Sequence, residues 1–175
     1  MITTLLDYIK VYEGVLTSEE CDKIVSHSHN DETWELSLPI WDKNRNYTTS
    51  NRRKCDYIHI TTEGKSYRVM DNMLYQKFGD IMKQHTEGSY LTLDEDSGYT
   101  FLKYNKGGGY IRHIDATSDV HRHISCVLLL NDDFEGGELT FFGSDGMDEY
   151  TPEFNKGDML LFPSNYMYPH TIKRI

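Results

Sequence analysis

The sequence contains few cysteines, no excess of positive charge and no long hydrophobic run. Its cysteines, Cys21, Cys55 and Cys126, form no C-x-x-C pair, which argues against a disulfide framework or a zinc ribbon and favours a reducing compartment. The 18 basic residues are outnumbered by 28 acidic ones, for a net charge of −10, so we expect no nucleic-acid partner. No stretch of about 18 apolar residues occurs, and the first residues lack the basic segment of a signal peptide. We therefore expect a soluble, cytoplasmic or otherwise intracellular protein without a membrane partner.

The length and apolar content are those of one folded domain. The chain has 175 residues, of which 38% are hydrophobic and 13% aromatic, which is enough for a sizeable core. No internal repeat or low-complexity tract is present. The sequence thus predicts a single domain over 1–175, with helical support and a long loop over 1–90 and a β-rich core over 91–175.

Two helices are predicted in the first half of the chain. Residues 15–29 begin with Thr17 and Glu20 at capping-box spacing and continue with apolar residues at helical intervals. Residues 63–86 carry a longer apolar stripe with the same period, and Gly88 follows just beyond it. The second segment is therefore predicted to be the longest helix.

A polar segment separates the two helices. Residues 39–56 are locally basic and contain no clear periodicity, so they are predicted to form a long loop. The basic run at 51–54 suggests a lid over an acidic or peptide substrate, because loops carry recognition in many folds. A solvated charged segment that balances an acidic protein is the alternative.

From residue 99 onward the pattern becomes that of antiparallel strands. Short β-branched and aromatic runs alternate with Gly, Asp and Asn turns. Strands are predicted near 99–104, 109–115, 122–130, 138–142, 149–154, 158–162 and 169–174. The glycine-rich turn at 105–109 predicts a hairpin between the first two strands.

His113, Asp115 and His170 are candidate metal ligands, called the triad below. His113 and Asp115 lie two residues apart on a predicted strand, so their side chains share one face and can converge on one ion. Two histidines and one carboxylate suit Fe(II) and leave positions open for an organic co-substrate and O₂. An H-x-D pair also occurs by chance, and His121 and His123 have the same spacing. The same ligands also accept Mn, Co or Zn.

The sequence around the triad resembles the 2-oxoglutarate- and Fe(II)-dependent dioxygenases, and among them the prolyl 4-hydroxylase-like branch. The resemblance covers about residues 98–175. It lies in the segments FLKYN (101–105), GGYIRHID (108–115), SCVLLLN (125–131), EGGEL (135–139), KGDMLLFPS (156–164) and YPH (168–170). These occur in the order of the family pattern. The resemblance implies an α+β fold, a double-stranded β-helix (jelly roll) with supporting N-terminal helices.

The resemblance also implies roles for individual residues. The triad would hold Fe(II), and Tyr104 would donate its hydroxyl to the distal carboxylate of 2-oxoglutarate. Tyr110 and Arg122 would border the substrate opening. An apolar inner wall would come from alternating strand residues or from their neighbours of the other parity, and the sequence leaves both open. The candidates are Val127, Leu129, Phe141 and Leu161.

The resemblance breaks at the C-terminus. In the family a Lys or Arg beyond the second histidine pairs with the distal carboxylate of 2-oxoglutarate, and a final strand follows. The present sequence ends at Ile175, so we expect the fold to lack its last strand, through truncation or as a naturally short form. Arg174, or Arg122 or His123 on a neighbouring strand, would then substitute for the missing cation. The open sheet edge suggests a homodimer as a hypothesis.

Together these features predict a non-haem Fe(II)- and 2-oxoglutarate-dependent dioxygenase. The expected substrate is a prolyl residue in a peptide or protein, with O₂ as oxidant and ascorbate as an optional accessory. One alternative is the same chemistry on a free amino acid or a methylated base. The other is a metal-binding jelly-roll module without turnover.

Overall fold

Antiparallel strands and two α-helices make up most of the regular structure. The structure, a computed structural model, describes residues 4–29, 53–60, 67–89, 91–116, 121–143 and 145–175, and the backbone of three short strands between residues 35 and 48. The helices are a 3₁₀ turn at Leu5–Tyr8, α1 at Ser18–His29 and α2 at Arg68–Thr86. The strands are β1 Lys10–Tyr12, β2 Glu35–Leu36, β3 Ile40–Trp41, β4 Tyr47–Thr48, β5 Arg53–Lys54, β6 Asp56–Ile60, β7 Tyr99–Lys103, β8 Gly109–His113, β9 Ile124–Leu128, β10 Leu139–Phe142, β11 Glu149–Tyr150, β12 Met159–Pro163 and β13 His170–Ile172.

The largest sheet carries both histidines of the triad. Its strand order is β11-β10-β13-β8-β5, and all neighbours are antiparallel. A second sheet has the order β1-β12-β9, and a third has the order β2-β6-β7. The strands predicted from residue 99 onward are all present, within one to four residues of the predicted bounds.

Strand β12 is the centre of the core because it is buried on both faces. Met159 and Leu161 are inaccessible and pack in a cluster with α1 and α2. Leu160 and Phe162, which point to the opposite face, pack against β10 in a second cluster. An uninterrupted apolar run is expected where a strand is covered on both sides.

The predicted helices are confirmed in the described part of the chain. At the start of α1, the Thr17 amide donates to Glu20 Oε2 and the Glu20 amide donates to Thr17 Oγ1, at 2.8 and 3.2 Å. This is the predicted capping box. The second helix begins at Arg68, and the predicted start at 63–66 lies outside the described residues. Gly88 follows α2 with a φ of +73°, a conformation that favours glycine.

The predicted hairpin between the first two strands of the β-rich region is wrong. The turn after β7 is present, but β7 pairs with β6 while β8 pairs with β13 and β5. The chain therefore passes from one sheet to another at this turn. Gly108 marks a close crossing, since an added Cβ would lie 2.8 Å from the carbonyl oxygen of Lys54. A glycine-rich turn specifies a chain reversal but does not choose the pairing partner.

The predicted loop over 39–56 is also wrong in part. Strand β3 pairs with β4, β5 pairs with β8, and β6 begins at Asp56; the stretches 42–46 and 49–52 lie outside the described residues. Strands of two residues carry no periodicity, so sequence patterns do not reveal them. The first 90 residues thus supply strands to all three larger sheets in addition to the helical support.

None of the helices in the described ranges is both long and apolar enough to cross a membrane.

Gly157 joins the segment before α1 to the turn before β12. Its amide donates to the Leu129 carbonyl at 2.8 Å, and its carbonyl accepts from the Leu16 amide at 3.0 Å. Its φ is +91°, and an added Cβ would lie 2.2 Å from the Leu16 carbonyl oxygen. Both the backbone conformation and the close approach require glycine here.

We expect Gly157→Ala to destabilise the protein by about 3 kcal/mol or more, because strain and a backbone clash add. Gly14→Ala is the matched control, since Gly14 has a φ of +61° but open space around its Cβ position. Left-handed strain alone costs about 1 kcal/mol. Urea unfolding measures the loss of stability in each variant. Equal losses in the two variants would contradict the importance of the Gly157 contact.

Candidate metal centre

The structure brings the three residues of the triad together through the pairing of β8 with β13. His170 lies directly opposite His113 in this antiparallel pair, and their ring centroids are 4.2 Å apart. Asp115 follows β8 by two residues and turns its carboxylate toward both rings. Asp115 Oδ1 is 3.5 Å from His113 Nε2 and 3.8 Å from His170 Nε2. One ligand atom from each residue lies within 4.8 Å of the others.

Backbone carbonyls orient both imidazoles. His113 Nδ1 is 2.8 Å from the Ile111 carbonyl, and His170 Nδ1 is 3.1 Å from the Tyr168 carbonyl. A carbonyl oxygen only accepts, so each Nδ1 carries the proton and donates. Each Nε2 is then left with its lone pair turned toward the Asp115 carboxylate, as in histidines that bind metals.

Ser125 holds the carboxylate of Asp115, and Ser164 in turn contacts Ser125. Ser125 Oγ donates to Asp115 Oδ2, and the Ser164 hydroxyl lies 2.8 Å from Ser125 Oγ. Both serines are buried. Burial alone would raise the pKa of Asp115, but the hydrogen bond from His113 and the charge of His170 when these imidazoles are protonated, together with the hydrogen bond from Ser125, lower it to about 2. Asp115 is therefore an anion at neutral pH.

Sequence reasoning did not assign a role to Ser125 or Ser164. Ser125 lies on β9 beside Phe162 of β12, and Ser164 directly follows β12. Both stand out as small polar residues next to apolar runs, and this was the only signal in the sequence. The contact of Ser125 with Asp115 depends on how the two sheets face each other.

Aromatic side chains line the buried side of the site. His170 is only 4% exposed, and burial lowers the pKa of its imidazole. The ring centroids of Phe141 and Phe162 lie 5.7 and 4.9 Å from that of His170. The wall nearest the triad thus contains Phe141, as expected, but on β12 it contains Phe162 rather than Leu161, which belongs to the helix-side cluster.

Tyr110 and Tyr104 both contact one cationic side chain, that of Arg53. The Tyr110 ring stacks on His113 with centroids 3.5 Å apart and a 20° interplanar angle. The Arg53 guanidinium carbon lies 5.0 Å from the Tyr110 ring centroid. Tyr104 is hydrogen-bonded to Arg53, and burial raises the pKa of the Tyr104 hydroxyl to about 12.

The cations considered from the sequence lie elsewhere. Arg122 and His123 are exposed and precede β9 instead of lying on it. Lys173 forms an ion pair with Glu149 at 3.3 Å. Arg174 follows β13 and is exposed, with its carbonyl accepting from the Gly137 amide.

The donor set of the triad fits a divalent transition metal. Two imidazole lone pairs and one carboxylate oxygen face each other, and such acceptors repel unless a cation lies between them. A set of two nitrogens and one oxygen suits Fe(II) and its neighbours in the first transition row. The triad alone leaves further coordination positions open.

A protein-family model matches residues 99–175, a region that contains the whole triad. The model is described as the 2OG-Fe(II) oxygenase superfamily. Sequence comparison finds no matching relative among curated proteins. The family match therefore rests on the β-rich region in which the triad lies.

Solved structures of prolyl hydroxylases have a similar fold. A prolyl-4-hydroxylase from Pseudomonas putida is 21% identical, with a TM-score of 0.71 over 95% of this chain and 86% of that one. A prolyl hydroxylase from Trichoplax adhaerens, in complex with a hypoxia inducible factor peptide fragment, is 17% identical, with a TM-score of 0.77 over 95% and 77%. The viral collagen prolyl hydroxylase of Paramecium Bursaria Chlorella virus-1 is 14% identical, with a TM-score of 0.61 over 95% and 88%.

At these identities the neighbours establish the fold, a mostly β structure with few helices, and the predicted β-rich α+β architecture is confirmed at that level. The name of the matching family includes Fe(II) and 2-oxoglutarate, and the triad is a group of side chains that could hold a metal ion. Residues 99–175 are therefore similar to the 2OG-Fe(II) oxygenase superfamily, and the fold of the chain is similar to that of prolyl hydroxylases.

Proposed function

We propose that the protein is a 2-oxoglutarate-dependent dioxygenase that hydroxylates prolyl residues in a peptide or protein. The observation that carries this proposal is the triad, in which three ligand atoms from His113, Asp115 and His170 converge within 4.8 Å. The proposal includes a double-stranded β-helix formed by the two sheets that contribute β8, β9, β12 and β13.

The triad would hold Fe(II), which in this superfamily couples the oxidative decarboxylation of 2-oxoglutarate by O₂ to hydroxylation of a C–H bond. The protein's own residues would then orient the metal ligands and shield the site from water. The carbonyls of Ile111 and Tyr168 would keep the Nε2 atoms of the two histidines turned toward the Asp115 carboxylate. Phe141 and Phe162 exclude water from the buried side of His170.

A peptide substrate is supported by the neighbours and by the surface near the triad. The Trichoplax adhaerens neighbour is a prolyl hydroxylase in complex with a peptide fragment. In the present chain the segment leading to His170 exposes Tyr166 and Met167, at 77% and 41%. Exposed aromatic and thioether groups suit a proline ring. Tyr110 and Arg122, the latter exposed, would border the opening for the peptide, and Tyr104 would donate its hydroxyl to the distal carboxylate of 2-oxoglutarate.

We expect prolyl peptides to increase succinate release from 2-oxoglutarate in the presence of Fe(II), O₂ and ascorbate. His113→Ala should reduce this release to background, because it removes a metal ligand. His29→Ala, at the exposed end of α1, is the control and should behave like the parent. Mass spectrometry of the peptide measures the added oxygen. Metal binding without peptide-dependent succinate would contradict the prolyl assignment and favour the metal-binding module.

We expect Ser125→Ala to weaken metal binding about 10- to 100-fold, because Asp115 loses the hydroxyl that orients its carboxylate. Titration with Co(II), followed by visible absorption, measures the affinity. Ser89→Ala is the control, since Ser89 lies just after α2, where its hydroxyl donates to the Thr86 carbonyl and accepts from the Leu91 amide. Parent-like affinity in Ser125→Ala would show that the serine does not position Asp115.

A further inference from the structure

Arg53 occupies a position that the sequence pattern did not connect with the triad. It lies on β5, the edge strand that pairs with β8, and it is directly opposite Tyr110. The guanidinium carbon is 5.0 Å from the Tyr110 ring centroid, and that ring is 3.5 Å from the His113 ring centroid. The guanidinium therefore lies within about 8.5 Å of the His113 imidazole.

The environment of Arg53 is enclosed and rich in hydrogen-bonding groups. Its Nε atom is shielded from solvent, and Tyr104 and Cys55 both hydrogen-bond with its side chain. Burial raises the pKa values of Tyr104 and Cys55, so both neighbours are neutral at pH 7. The planar fork of the partly buried guanidinium matches the geometry of a carboxylate.

From these positions we infer that Arg53 binds the distal carboxylate of 2-oxoglutarate, together with the Tyr104 hydroxyl. The inference rests on the proposed function and names the residue that fixes the co-substrate. In 2-oxoglutarate the keto carbon and the distal carboxylate carbon are three bonds apart, about 3.8 Å when extended. A metal–oxygen bond of about 2 Å at one end and a hydrogen bond of about 2.8 Å at the other lengthen this span, so that it is comparable to the distance between the triad and the Arg53 guanidinium.

Arg53 is better placed to bind the distal carboxylate than the cations considered from the sequence. Arg122 and Arg174 are exposed, and Lys173 is paired with Glu149. Arg53 alone among these side chains contacts a ring that stacks on a triad histidine. An N-terminal edge strand would thus complete a site whose other residues come from the region after residue 98.

The test is an anaerobic titration of the Fe(II)-loaded protein with 2-oxoglutarate, followed by the visible absorption band of the chelate. A parallel titration uses 2-oxopentanoate, which keeps the chelating 2-oxo acid and replaces the distal carboxylate by a methyl group. We expect Arg53→Met to weaken 2-oxoglutarate binding roughly 10- to 100-fold, as for loss of a charged hydrogen bond. Binding of 2-oxopentanoate should change less than about twofold.

Arg112→Met is the matched control. Arg112 lies on β8, is exposed, and also covers an aromatic ring, with its guanidinium carbon 4.5 Å from the Phe142 centroid. It should leave both affinities unchanged. Arg53→Lys keeps the charge but not the fork, so it should restore part of the preference for 2-oxoglutarate over 2-oxopentanoate. Co(II) titration of each variant verifies that the triad still binds metal.

The outcomes separate the inference from the proposed function. If the parent binds 2-oxoglutarate and Arg53→Met binds it equally well, Arg53 is not the carboxylate ligand. If Arg53→Met loses both 2-oxo acids to the same degree, its role is structural and the inference is overturned. If the parent binds Fe(II) but gives no band with either acid, the proposed function fails, and the inference fails with it.

Discussion

The pairing of β8 with β13 is the constraint on which the candidate site depends. It places His170 directly opposite His113, so two imidazoles from residues far apart in sequence meet at one point. The Asp115 carboxylate joins them because it leaves β8 on the same side. Directly opposed residues of an antiparallel pair have their Cβ atoms about 5 Å apart, a separation that one metal ion can bridge.

Around this pair, the rest of the fold supplies orientation and burial. Strand β12 is apolar on both faces, so it joins the helix-side cluster to the cluster beside His170. Ser125, on the strand that pairs with β12, holds the Asp115 carboxylate, and Ser164, directly after β12, contacts Ser125. The same packing that stabilises the domain therefore also orients the ligands, as preorganised sites require.

The first 90 residues contribute more to the site than support. Strand β5 extends the main sheet at β8 and brings Arg53 over Tyr110. A polar stretch that reads as a loop or lid thus becomes an edge strand beside the triad. Its two residues are too few to show a period, and they pair with β8 across the sheet.

The sequence by itself determined the features that depend on near neighbours. The spacing of His113 and Asp115 predicted a shared face, and the Thr17 and Glu20 pair predicted the start of α1, because strand alternation and helix capping act over two or three residues. Only the tertiary structure decided the partner of β7, the choice of Phe162 over Leu161 beside His170, and the place of Arg53. Each of these depends on contacts between residues distant in sequence, and local patterns carry no record of such contacts.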